Sequence, residues 1–147
     1  MKIEEIIDKD RWAVVEKSSD SEKMFIRFRN ELKPEYDYSD YPVAIHIFWD
    51  FEANDLGMPI DTSILKQMEK FENDLVTAVE SNYSGILVGV LTMNGYRQWL
   101  YCLKSESEFI GTLNTVTFHG EPYPIELERE SNSGWDYFFS VMYQQGT

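Results

Sequence analysis

Residues 86–103 read ILVGVLTMNGYRQWLYCL. Ile86 to Thr92 and Tyr96 to Leu103 are apolar runs rich in β-branched and aromatic side chains, joined through Met93, Asn94 and Gly95. An Asn-Gly pair accepts the positive φ values of a tight antiparallel turn, so the stretch reads as a β-hairpin. The rest of the chain is organised outward from it.

Upstream, Asp61 or Thr62 caps a helix that runs to about Ser81. Ile64, Leu65, Met68, Phe71, Leu75, Val76 and Val79 recur at three- and four-residue spacing, while Lys66, Glu69, Asp74 and Glu80 occupy the opposite face. Before that helix, Pro42 to Phe51 alternates Val43, Ile45, Ile47, Trp49 and Phe51 with Ala44, His46 and Phe48. Apolar character on both faces predicts a strand inside a sheet. Asn54, Asp55, Gly57 and Pro59 make the connection turn-rich.

Downstream, Ser105 with Glu108 matches a capping box, and Phe109, Ile110, Leu113 and Val116 form the stripe of a second helix. Gly120 and Pro122 stop it. Tyr123 to Glu130 alternates Tyr123, Ile125 and Leu127 with acidic residues as a last strand, and Ser133 caps a short helix presenting Trp135, Phe138, Phe139 and Met142.

At the N-terminus, Trp12 to Glu16 and Lys23 to Asn30 flank a polar cluster, Ser18 to Ser21, that predicts a hairpin turn. Met24, Ile26 and Phe28 alternate with Phe25, Arg27 and Arg29, one apolar and one basic face. Glu31 to Tyr41 is a loop. The predicted fold is therefore a single α+β domain, 1–147, with a ferredoxin-like βαββαβ core over about 42–130, an N-terminal β-hairpin and a short C-terminal helix. Both helices should share one sheet face, leaving the other open to a partner.

The 147 residues carry 26 acidic and 13 basic side chains, a net charge of −13, which repels phosphate backbones and argues against direct nucleic-acid binding. Acid concentrates on the helices and the C-terminal third; Leu91 to Lys104 holds Arg97 and Lys104 and no acid. The single cysteine, Cys102, forms no intramolecular disulfide, and Met1 to Asp10 lacks the apolar core of a secretory signal. With no apolar run approaching the roughly 20 residues that span a bilayer, a cytoplasmic protein is expected.

Arg97, Trp99 and Tyr101 alternate on one strand, and Arg27 and Arg29 share a face of another. Such a set is able to form an Arg-aromatic patch for an anion or a partner side chain. The plainer reading pairs the Arg groups with local carboxylates and lays the rings over the sheet. Tyr36, Tyr38 and Tyr41, interleaved with Glu35, Asp37 and Asp40, form an acidic, ring-rich loop suited to a basic enzyme surface. The plainer reading folds the rings back onto the sheet and leaves the acids solvated.

Asp50, Glu52 and Asp55 sit at a strand end without a neighbouring His, a weak metal pattern. Cys102 with His46 or His119 is the sole Cys-His combination, and His46 lies between Ile45 and Ile47, where a buried structural histidine is the commoner outcome. No nucleophile elbow and no phosphate loop is present, so no cofactor is expected.

Trp12, Arg29-Asn30, Tyr41-Pro42 leading to Trp49, Gly57-Met58-Pro59, Gly95 with Arg97, Trp99 and Tyr101, and Trp135 together resemble the bacterial family called domain of unknown function 695. The resemblance implies a ferredoxin-type α+β domain with no established activity. It also implies a distant similarity to the small acidic regulators that inhibit ribonuclease E by binding it, without carrying over any functional residue.

The sequence thus favours a non-enzymatic acidic module that binds a protein partner, such as a basic nucleic-acid enzyme, through the Tyr-acid loop. The alternative is a small-molecule or anion site around Arg97, Trp99 and Tyr101. A homo-oligomer through the sheet face or edge is a third reading.

Overall fold

The computed structural model describes residues 2–18 and 23–143. In chain order it contains α1 (Ile3–Lys9), β1 (Trp12–Ser18), β2 (Lys23–Arg29), β3 (Val43–Asp50), α2 (Thr62–Glu80), β4 (Gly85–Met93), β5 (Tyr96–Leu103) and α3 (Glu106–Leu113). There follow β6 (Thr117–Phe118), β7 (Glu121–Pro122), β8 (Glu126–Arg129), α4 (Gly134–Tyr137) and a π-helical turn, Phe138–Met142. The predicted turn residues Ser19, Asp20 and Ser21 lie outside the described residues.

Six strands form one antiparallel sheet in the order β1-β2-β4-β5-β3-β8, and β6 and β7 make a separate two-stranded ribbon. Asn94 and Gly95 take φ values of 41° and 90°, so the central turn uses the left-handed region that the Asn-Gly pair tolerates. The N-terminal hairpin extends the sheet by pairing β2 with β4. This is a mixed α+β fold, as the periodicities predict.

Asp61 Oδ1 accepts the Ser63 amide at 2.9 Å and starts α2, whose Met68, Phe71, Leu75 and Val79 are buried. They pack on Ile45, Ile47, Trp49, Leu87, Trp99 and Tyr101, and Phe109 and Leu113 of α3 join the same cluster. Both long helices therefore cover one face. Alternation along β3 sends Ala44 to the other side, where it joins Ile26, Phe28, Ile86, Leu100 and Cys102.

That second face is not open. Trp135, Phe138 and Met142 lie on it, with Ile3, Ile6 and Ile7 of α1 and Leu32 and Tyr41 of the following loop. Close seating depends on two glycines: a Cβ at Gly134 would collide with the Ala44 side chain, and one at Gly89 with Met142 Sδ. The expected open sheet face is thus corrected: the C-terminal segment carries a cluster of apolar rings, and it buries them on the sheet.

Other boundaries also differ. α3 ends at Leu113, so Val116 falls beyond it, and His119 and Gly120, at φ values of 52° and 82°, turn the β6–β7 ribbon. The last strand shortens to Glu126–Arg129, all four residues exposed, because it pairs on one side only, with β3. Sequence reading assigns no helix to Ile3–Lys9. Yet its Ile3, Ile6 and Ile7 have helical spacing, all three are buried, and the helix closes the end of the sheet near Arg29.

Candidate functional site

Phe25, Arg27 and Arg29 project from the α2 side of β2, and the two arginines meet different surroundings. The pairing of β4 with β5 shifts between Leu87 and Gly89, a bulge that interrupts the regular ladder at Leu87. Arg29 Nε donates to the Leu87 carbonyl at 2.8 Å, Nη2 donates to Glu80 Oε1 and Oε2 at 2.8 and 3.0 Å, and Nη1 donates to the Ile6 carbonyl at 3.4 Å. Asp10 Oδ1 lies 3.3 Å from Nη1, and the Trp12 ring centroid is 4.6 Å from Cζ.

Glu80 also accepts the Leu87 amide at 2.9 Å. Burial pushes its carboxyl upward, and Arg29 opposes that shift. Arg29 is 0 % exposed, with all three guanidinium nitrogens engaged by α1, α2 and β4. The residue predicted as a ligand contact is a tie between elements. No donor of it faces outward.

Two residues earlier, Arg27 Nη2 donates to Glu72 Oε1 at 2.5 Å, and the same oxygen accepts Trp99 Nε1 at 2.8 Å. Arg97, level with Thr92 across β4, donates Nε to Thr92 Oγ1 at 2.8 Å. Burial draws the Arg97 guanidinium below its ordinary value; Glu72 opposes this and Arg27 reinforces it. Arg27 and Arg97 both line a pocket of about 170 Å³ whose other walls include Val14, Phe25 and Val90.

Trp99 and Tyr101 are each 0 % exposed beneath α2 and α3, so they are core residues and not part of a surface patch. The Tyr101 hydroxyl, with no hydrogen-bond partner among the described residues, lies beside Phe109, the rings 5.3 Å apart. Of the residues predicted for the Arg-aromatic patch, Arg97 and Arg27 line a cavity together, while Arg29, Trp99 and Tyr101 are buried elsewhere.

The Tyr loop is mostly folded back. Tyr38 stacks on Trp135 at 3.9 Å and 13°, donates to the Lys33 carbonyl at 2.6 Å and accepts the Lys33 amide at 3.0 Å. Tyr41 is buried and donates to the Tyr83 carbonyl at 2.9 Å, while its own carbonyl accepts Trp135 Nε1 at 2.9 Å. Tyr36 stays half-exposed. With Tyr41, Asp37 and Asp40 it forms one wall of a groove of about 560 Å³, opposite Lys2, Ile3, Glu4 and Glu5 at the start of α1.

Asp37, whose Oδ1 accepts the Ser39 amide at 2.9 Å, is held below the usual carboxylate range chiefly by that bond and so keeps its charge. Glu4 and Glu5 are the members of this groove that sequence reading misses. Away from the groove, sequence reading also misses Glu72, although it follows buried Phe71; Glu80, expected on the face of α2 opposite the apolar stripe, is instead buried beside Val79 and borders that stripe.

His46 is buried. Gln98 Nε2 donates to its Nδ1 at 2.8 Å, so the ring proton sits on Nε2, 3.0 Å from Glu130 Oε2. The Cys102 thiol is 0 % exposed and burial pushes it far up, which keeps it protonated. No three His, Cys, Asp or Glu side chains gather as a metal set among the described residues. No helix there is long and apolar enough to cross a membrane.

An acidic α+β domain with two such concavities defines a class by its architecture and not by its chemistry. The chain belongs to a family of unknown function (DUF695), whose sequence model matches residues 10–143. No curated protein matches it.

Proposed function

We propose that the domain is a non-enzymatic, cytoplasmic protein-binding module that docks its acidic groove on a basic partner and regulates it. The observation carrying this reading is the groove of about 560 Å³ between α1 and the loop 36–41, walled by Glu4, Glu5, Asp37 and Asp40 around the Tyr36 ring. Its carboxylates are spread along two walls, which suits a row of Lys and Arg side chains better than one point charge.

Tyr36 adds a half-exposed ring of the kind that anchors interfaces, and the net charge of −13 steers a basic surface toward it from a distance. Enzymes that hold nucleic acid carry such basic surfaces, and one of these is the partner class we favour. Occupying that surface with carboxylates would inhibit it.

The test is cross-linking capture from the native host at low and high salt, run beside the Asp37→Lys/Asp40→Lys variant. A basic protein should be recovered, cross-linked at the groove, by the wild type alone, with recovery falling as salt screens the attraction. Absence of a specific partner at low salt, or equal recovery by the charge-reversed variant, contradicts the reading.

A further inference from the structure

We propose that the pocket between Arg27 and Arg97 is a binding site for a small carboxylate carrying a short apolar group. Its position differs from the acidic groove: it opens near the start of β2 and β5, whereas the groove lies beside α1 and the segment leading into β3.

The charge balance selects the ligand. Two guanidiniums line the space, and among the described residues the carboxylate that pairs with them is Glu72, so this set is one positive charge in excess. A monoanion neutralises that excess, whereas a dianion overshoots it and leaves charge in a partly desolvated place. In a chain of net charge −13, a local positive excess also needs a reason to persist.

The guanidiniums are held in position. Arg27 is fixed by Glu72, itself fixed by Trp99 Nε1, and the Trp12 ring lies 5.0 Å from its Cζ. Arg97 is fixed through Nε by Thr92, a buried residue, which leaves Nη1 and Nη2 without a hydrogen-bond partner among the described residues. Two adjacent N–H donors of a guanidinium are the geometry that takes a carboxylate in bidentate fashion.

The remaining walls are apolar. Val14, Phe25, Ile26 and Val90 line it, Val14 the most exposed of them and Val90 buried, and the volume of about 170 Å³ equals that of about six waters at ~30 Å³ each. That space holds a carboxylate and a tail of a few carbons. A free short-chain acid and the C-terminus of a peptide ending in a small apolar residue both present this chemistry.

The experiment is an amide NMR titration of the full chain with butyrate, with a short peptide ending in Val, with the same peptide C-terminally amidated, and with inorganic phosphate. Saturable shifts at Phe25, Thr92 and Arg97 with butyrate identify a free acid as the ligand. Shifts with the free-acid peptide alone identify a chain terminus. Arg97→Gln should weaken binding about 10- to 100-fold, the loss of a charge-assisted hydrogen-bonded contact. Val14→Phe, at a position 70 % exposed, should block the opening while leaving the fold and both arginines intact. No saturable binding, binding of phosphate alone, equal binding of the amidated peptide, or undiminished binding by both variants overturns the proposal.

Discussion

Arg27 and Arg29 share one face of one strand, and each reaches a glutamate of the same helix, yet they do different work. Arg29 is closed over by the α1 carbonyl of Ile6, by Asp10 and by the Leu87 carbonyl at the β4 bulge. Around Arg27 the cover stops: its side chain is 35 % exposed, its neighbour Val14 faces solvent, and Arg97 shares the space. Whether an arginine becomes a tie or a ligand contact is set here by what packs on the third side, not by its strand position or its acidic partner.

The largest effect should come from breaking the closed end. Arg29→Ala strands Glu80 as a buried charge and leaves the Leu87 carbonyl unpaired, so denaturant unfolding should show a loss of about 3–5 kcal/mol. Arg29→Lys should recover little, because a single ammonium cannot span Glu80, Leu87 and Ile6 together. A loss below about 1 kcal/mol would remove the contrast.

The same end sets an alkaline limit. Burial, followed by the charges of Glu4 and Asp40, pushes the Tyr41 phenol from 10.0 up to about 12, and burial raises Tyr38 and Tyr101 in the same direction. Between those values the folded chain keeps a proton that the unfolded chain has released, so stability falls as pH rises. Denaturant midpoints should therefore hold below pH 10 and decline above it, and Tyr41→Phe should blunt the decline.

At the open end, Arg27→Ala should cost only about 1 kcal/mol or less, the worth of a partly exposed ion pair, since Trp99 Nε1 still satisfies Glu72. Equal losses for Arg27→Ala and Arg29→Ala in the same urea titration would show that the covering elements do not matter.

Much of this contrast lies beyond what the sequence makes legible. The Asn94-Gly95 turn, the α2 stripe and the alternation of β3 are local signals, and they give the α+β class directly. Alternation also places Arg97, Trp99 and Tyr101 on one face. Burial of that face depends on where α2 and α3 lie, a tertiary matter, and it leaves Arg97 at a pocket while Trp99 and Tyr101 enter the core.

The residues that carry the family resemblance have a related lesson. Trp12 packs on Arg29, Trp49 and Trp99 sit in the helix-side core, and Trp135 ties its indole to the Tyr41 carbonyl. They mark how the chain folds. The groove carboxylates Glu4 and Glu5 and the paired Glu72 stand outside that pattern, in a short helix and on the flank of a stripe, where spacing shows a face but not its neighbour.

The most direct measurement is a parallel set of thermal melts of wild type, Arg29→Ala and Arg97→Gln, with and without millimolar butyrate or the Val-terminated peptide. Ligand that binds only the folded state raises the melting temperature. Arg97→Gln should melt with the wild type and lose the ligand shift, while Arg29→Ala should melt far lower. An Arg97→Gln variant that melts as low as Arg29→Ala, or that keeps the full ligand shift, would contradict the division of the strand into a closed structural end and an open binding end.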